Sequence, residues 1–520
     1  MLNIRAYFVY TQNMKKLSLI LLLTLLIISC SSNQQNNNLQ IALSQEPPTL
    51  DVNKNSSISS RLILVGNVFE KLLTLNSKGT AVPELCESYT RSEDARSYKF
   101  KLREGVFFHD KTELTSKEAV DSLNRWVENY KVAKTAFGES RFVVLDKYNF
   151  KVELENSLLL LPEMLASSPF SAVIMASSTL ASLDNKGFIT SYIGTGPYMF
   201  ESWALAQEVT LVKNPNYKSY GGTTDGLAGK KETNFDKLVY HFVPDAVTRT
   251  LGLETGEYDF INDVMNDDIP RLTQKKQLNI FRGSEGGSFV VVFNKKEGIC
   301  SNQYMREAIN LSVDFDQALA ACYGDGGYTL RANYMDNEQA FWQVEGLDSY
   351  YNQKNIERAK QLLKDNNYEG QVVRILTPNL SNMDKTAVAL KSELAKLGIS
   401  SELIISDWAT VMSKRKDSSS YDIYLTALSS VPIPSLKLFL DPTYPGWSED
   451  EMLQSLLLDF NQAISYEGAK NKWEEIQHYC YEYLPVMVLG HYLSGYGWQT
   501  KLQNVNTYMG FYFWNSKLNT

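Results

Sequence analysis

Four histidines, at positions 109, 241, 478 and 491, are the side chains most able to move protons or hold a metal, and their spacing serves neither. No H-E-x-x-H pair, nucleophile elbow, P-loop or dinucleotide fingerprint occurs in the 520 residues. Scattered histidines do not build a zinc cage. The sequence therefore predicts no catalytic group, no metal and no cofactor. His109, beside Phe107 and Phe108, reads as a packed structural histidine. After Cys30, four cysteines remain at 86, 300, 322 and 480. In an exported chain two states fit them: Cys300 pairs with Cys322, or all four are free buried thiols. What is left is binding chemistry. Thirty tyrosines and eight tryptophans suit large ligand-facing or interdomain surfaces. A formal net charge of −8 argues against a nucleic-acid partner.

The start of the chain carries a sorting pattern. Lys15 and Lys16 precede an apolar run from Leu17 to Ile28, and Ile27-Ile28-Ser29-Cys30 follows. Charged region, apolar region and small residue describe a signal peptide over 1–29, with Met14 as the better translation start. The apolar run is too short to cross a membrane as an ordinary helix. Ile-Ile-Ser-Cys is similar to a bacterial lipobox, which makes Cys30 the expected lipidated residue. An ordinary signal peptide with an incidental cysteine is the alternative. SSNQQNNN, ending at Asn38, has nothing to bury and reads as a tether. Some 491 residues remain after cleavage, too many for one core, so two or three domains are expected.

Leu39 to Ser44 alternates as a half-buried strand. Residues 61–170 read as an α+β unit, opening on an apolar helix from Leu62. Its second helix starts at the capping box Thr115-x-x-Glu118 and gathers Ala119, Val120, Leu123, Trp126, Val127 and Tyr130 on one face. Gly194-Thr195-Gly196-Pro197 predicts a tight turn that uses glycine's freedom at φ > 0. Phe281 to Gly287, FRGSEGG, reads as a hinge loop with Gly286 and Gly287 taking up the backbone change. Beyond it, helices alternate with strands. That rhythm predicts a mainly parallel sheet whose ligand cleft lies at the strands' carboxyl ends, where Ala427 to Pro434 (ALSSVPIP) falls.

Several ordered blocks carry a resemblance. IGTGPY…W…NPNY from Ile193 to Tyr217 is one, and SYKFKLREGVFFHD…LTSKEAVDSLNRW from Ser97 to Trp126 is the most specific. Glu46-Pro47-Pro48-Thr49-Leu50-Asp51, Thr255-Gly256-Glu257-Tyr258-Asp259, Met305 to Ile309 and Pro485 to Leu489 follow the same order. Together they resemble extracytoplasmic solute-binding protein family 5, the peptide- and nickel-binding lipoproteins of ABC importers.

The resemblance implies an α/β fold of the type II periplasmic-binding-protein kind, two lobes joined by a hinge with an extra inserted domain. It places domain I at 39–60, 171–285 and 485–520, domain II at 61–170 and domain III at 286–484. It implies a monomer anchored outside the cytoplasm by the lipid on Cys30. Its partners are a peptide or other small ligand, permease subunits with their cytoplasmic ATPase, and the membrane. Ser57 and Ser168 fall in segments that relatives use in the cleft. Trp408, Leu428, Ser429, Ser430 and Trp447 fall in cleft loops, with Glu285 and Tyr334 as further candidates. Two departures stand out. Relatives that bind a peptide's α-amine carry an aspartate shortly after the strand at Asp422 to Leu425, but no acid follows here until Asp441. Either Glu285 substitutes for it, or the ligand offers no α-amine. Nickel-binding relatives carry an arginine near Ser168, which this sequence lacks. A binder of some other small solute, or a surface adhesin, is the alternative reading.

Overall fold

A computed structural model describes residues 37–55 and 57–519. Met14, Cys30 and the expected leader lie outside the described residues. Ten strands follow one another in a single hydrogen-bonded path, and an eleventh, Tyr328–Thr329, pairs beside it. At its centre are two long antiparallel strands, Leu278–Phe293 and Val486–Gln499. On one flank lie Phe260–Asn262, Asn38–Leu43, Lys237–Phe242, Glu208–Lys213 and Tyr198–Ala204. On the other lie Ile423–Ser429, Val373–Pro378 and Ser401–Ser406. The last three run parallel to one another, as the helix–strand rhythm predicts.

The two flanks have separate cores. Leu39, Ile41 and Leu43 pack with Leu211, Leu238, Tyr240 and Phe260. Phe289, Val291 and Phe293 pack with Ile309, Leu363, Ile375 and Leu425, while Val290 and Val292 face Leu376 and Tyr424. Burial on both faces explains why Phe289 to Phe293 reads as a continuous apolar run rather than an alternating one.

The segment FRGSEGG is not the expected loop. It lies inside the strand Leu278–Phe293, with register shifts between Arg282 and Glu285 and between Glu285 and Gly287. Its glycines answer to crowding. A β-carbon on Gly286 would meet the Tyr492 ring, and one on Gly287 would stand far inside 3.0 Å of the Leu428 carbonyl oxygen. Gly287 also holds φ at +143°. Gly287→Ala is therefore expected to cost about 1–3 kcal/mol, read as a lower urea midpoint.

A second sheet is formed by Cys86–Arg91, Ser97–Leu102, Asn149–Glu153 and Phe142–Val144, all antiparallel. The helix Ser116–Asn129 covers it, with the Thr115–Glu118 capping box formed and Trp126 buried. The helix expected from Leu62 instead starts at Ile58, because Ser57 caps its N-terminus, and stops at Leu64, where Val65 turns to extended backbone. The four cysteines at 86, 300, 322 and 480 are buried free thiols, so the Cys300–Cys322 pair does not form.

Candidate functional site

A cavity of about 300 Å³ lies beside the two long central strands. Glu285, Gly286, Tyr492, Ser494 and Tyr496 line it from those strands. One flank adds Ser44, Arg61, Ser168, Asn262 and Asp263; the other adds Glu338, Gln339, Ser429 and Ser430. The C-terminal tail closes it with Phe511 and Tyr512. Aromatic walls with a few placed polar groups suit a small organic ligand.

Most of the polar groups are held in place by partners behind the wall. The Gln339 amide donates to Ser430 Oγ at 2.9 Å, and the Tyr492 hydroxyl donates to the Gly286 carbonyl at 2.6 Å. The Glu285 carboxylate accepts from Thr329 Oγ1 at 2.5 Å, from the Asn337 N–H at 2.6 Å and from Arg331 Nη1 at 3.2 Å. It is already paired, so it does not supply the free acid expected of an α-amine anchor.

Behind Glu285, His491 Nδ1 lies 2.7 Å from Asp336 Oδ1, and Nε2 lies 2.8 Å from the Asn333 carbonyl. Glu285, Asp336 and His491 bring three donor atoms within 4.8 Å of one another. Counting the histidines as scattered in sequence missed this grouping, because its members come from three distant segments. Two basic side chains lie near its carboxylates. Arg331 is one, and the buried Lys437 ammonium is the other, lowered by burial against the pull of Asp336 and Glu285.

Three charged groups on the cavity wall have no oppositely charged partner within ion-pair distance among the described residues: Arg61, Asp263 and Glu338. Burial, with Glu285 nearby, raises the Glu338 carboxyl above its ordinary value. The acids that the stretch after Asp422 lacks are thus present from other segments. Sequence reasoning passed over all three. Arg61 had a visible signal, as the one charge in the helix ISSRLIL.

The model for bacterial extracellular solute-binding proteins, family 5, matches residues 80–448. The chain belongs to this family. Among its relatives, a probable peptide ABC transporter periplasmic-binding protein, y4tO of Sinorhizobium fredii, is 24% identical over 443 residues, covering 81% of this chain and 83% of that protein. A dipeptide-binding protein from Pseudoalteromonas sp. SM9913, solved with Met-Leu, superposes with a TM-score of 0.78 at 19% identity, covering 93% and 100% of the two chains. AgaA from A. tumefacien R10, solved with agropinic acid, gives 0.77 at 24% identity, covering 93% and 99%. The family-5 fold is thus the two-lobed α/β arrangement expected.

Within this family-5 protein the cavity gathers Ser168, Glu285, Gly286, Ser429 and Ser430 from the sequence candidates. The others lie off its wall. Trp408 opens the helix Trp408–Lys414 and is 42% exposed. Trp447 stacks on Tyr421, with Lys296 over its ring. Tyr334 is buried against Phe439 and Tyr481, since an aromatic ring between apolar neighbours is worth more as core than as wall. Leu428 is buried in the strand Ile423–Ser429, whose alternation sends Ser429 the other way. Ser57 is the cap of helix Ile58–Leu64, and its neighbours Ile58 and Ser59 line the cavity instead. Gly287, the second hinge glycine, packs on the Leu428 carbonyl.

Proposed function

We propose that this family-5 protein is the binding component of an ABC importer. It captures a peptide or peptide-like small molecule between two lobes and passes it to a membrane permease driven by an ATPase. The observation that carries this reading is the cavity itself, which takes its wall from both flanks of the sheet and from the two strands joining them. A ligand touching both flanks favours the closed arrangement by its differential affinity for it. The names of the relatives support a peptide. A lipid anchor at Cys30, a monomeric state and the division into domains at 60/61, 170/171, 285/286 and 484/485 belong to the same proposal. The crossing at 285/286 then falls within the strand Leu278–Phe293, and that at 484/485 just before the strand Val486–Gln499.

The test is calorimetry of the purified protein against di- to pentapeptides, with small-angle scattering on the same samples. Binding heat and a smaller radius of gyration with peptide are expected. A protein that binds none of them, or binds without compaction, would remove the peptide-import reading.

A further inference from the structure

The cavity wall is lopsided. Among the described residues, the flank that carries Ile423–Ser429 presents only polar side chains to it: Glu338, Gln339, Ser429 and Ser430. Every aliphatic side chain on the wall comes from the opposite flank or the C-terminal tail, namely Leu43, Ile58, Leu62, Pro169 and Met509. Three of these make one surface. Ile58 and Leu62 stand four residues apart in the helix Ile58–Leu64, so they share a face. The tail meets that face at Leu62, whose Cδ2 would lie 2.8 Å from a β-carbon on Gly510. Met509 adjoins Gly510 on the same wall. Ile58 is 50% exposed and Met509 is half-buried, so the stripe is left partly open.

Met509 holds its place against its own backbone preference. Its φ is +53°, in the left-handed region that side chains other than glycine seldom adopt. The surrounding loop enforces it. Asn506 and Tyr512 exchange two backbone hydrogen bonds, at 3.2 and 2.9 Å. The Asn506 side chain accepts the Tyr508 N–H at 3.0 Å and donates to the Gly226 carbonyl at 2.8 Å. Beyond the turn, the Phe511 ring packs on Phe260 with centroids 4.7 Å apart. Glycine would make the same turn without strain. Methionine adds an apolar thioether, flexible enough to follow the outline of an apolar partner.

We infer that Met509, with Ile58 and Leu62, is the specificity contact for an apolar group of the transported solute. The site then takes small amphiphilic solutes, whose alkyl, thioether or aromatic group lies on this stripe while a polar part faces Gln339, Ser429 and Ser430. This rests on the solute-binding reading but not on the solute being a peptide.

The test is calorimetry with dipeptides that differ in one side chain: Ala-Ala, Ala-Leu, Leu-Ala, Ala-Phe and Phe-Ala. Wild type, Met509→Gly and Met509→Leu are compared. Each methylene buried on binding is worth about fourfold in affinity. The best leucine or phenylalanine dipeptide should therefore bind wild type at least about tenfold more tightly than Ala-Ala. Met509→Gly should reduce that ratio to about threefold or less, and Met509→Leu should keep it. Thermal unfolding of the ligand-free proteins separates this from a structural role, since Met509→Gly relieves the turn and should stay within about 2 °C of wild type. Dipeptides that bind without side-chain preference would overturn the inference and leave peptide import standing. A preference unchanged in Met509→Gly, or earlier unfolding of that variant, would overturn it too. If no dipeptide binds, fluorescence of the neutral dye N-phenyl-1-naphthylamine decides. Dye binding weakened at least about fivefold in both Met509→Gly and Ile58→Ser would keep the apolar contact and remove the peptide. No dye binding, or equal binding by all the proteins, would overturn the contact as well.

Discussion

Gly194→Ala is expected to cost on the order of 3 kcal/mol, the upper part of the range for overpacking, because the obstacle is backbone rather than a side chain that can turn aside. A β-carbon there would stand far inside 3.0 Å of the Val68 carbonyl oxygen, and one on Gly196 would meet the Asn67 carbonyl in the same way. Neither glycine has φ > 0, so the two are present for close approach and not for the turn geometry expected from their sequence. The reason for that approach is visible on the other side. His109 donates its N–H to the Gly194 carbonyl at 2.9 Å, its Nδ1 accepts the Gly194 N–H at 3.3 Å, and its Nε2 donates to the Gly196 carbonyl at 3.0 Å. That pattern needs a neutral ring, and burial lowers the His109 pKa accordingly. The loop is gripped between residues 67–68 and the histidine. Urea unfolding of Gly194→Ala measures the effect. Gly221→Ala is the control, with nothing within 4 Å of its added carbon, and should stay within about 0.5 kcal/mol of wild type. Equal behaviour of the two variants would mean that the 67–68 segment yields easily.

Lys231→Ala should be as damaging, at about 3–5 kcal/mol, the scale for removing one partner of a buried ion pair. Its ammonium lies 2.5 Å from Glu84 Oε1 and 3.6 Å from Glu70 Oε1, all three side chains being almost wholly buried. Burial pushes the Glu84 carboxyl up, but Lys231 and Lys71 outweigh it and hold it below the ordinary value. Glu70 is raised, with burial the larger influence, although Thr195 Oγ1 and the Tyr217 hydroxyl each donate to it at 2.9 Å. Truncating Lys231 leaves two carboxylates facing each other in the interior. The double variant Lys231→Met with Glu84→Gln should recover much of the loss, since one uncompensated charge goes and an apolar side chain takes the ammonium's place over the Trp514 ring. A double variant no more stable than Lys231→Ala would sink the ion-pair account, since it removes the uncompensated Glu84 charge and restores side-chain bulk beside Trp514.

These two positions also show how far the sequence could be read. The run from Ile193 to Tyr217 is recognisable because Thr195 and Tyr217 converge on Glu70, and Asn214 donates to the Gly196 carbonyl at 3.0 Å. The run alone suggests a turn; its partners, Glu70 and His109, lie far away in sequence, and no local pattern links them. Element types survived this limit well. The capping box at Thr115, the helix end at Gly256 and the parallel strands around Val373–Pro378 follow from short-range chemistry. The site was harder. Ser429 and Ser430 were legible because a strand's end fixes their position. Asp263 and Glu338 were not, because a cavity wall is assembled from segments far apart in sequence whose only common feature is where the sheet carries them. Trp408 and Trp447 misled for the opposite reason, since an aromatic residue in a loop looks the same from sequence whether it meets ligand, solvent or a neighbouring ring.

The free thiols have a use of their own. Burial pushes Cys86 up to about 11 and Cys322 up to about 12, and raises Cys300 and Cys480 further. A thiol so placed gives almost no thiolate near neutral pH, so a sulfhydryl reagent attacks only after its surroundings open. Cys86 sits in the four-stranded sheet and shares one apolar cluster with Cys480, while Cys300 and Cys322 share another with Ile423 and Leu425 of the large sheet. Labelling followed by mass spectrometry therefore times the opening of two regions separately in the unmodified protein. A ligand gripped across the cavity would slow the clock at Cys300 and Cys322 and leave that at Cys86 running at its own pace.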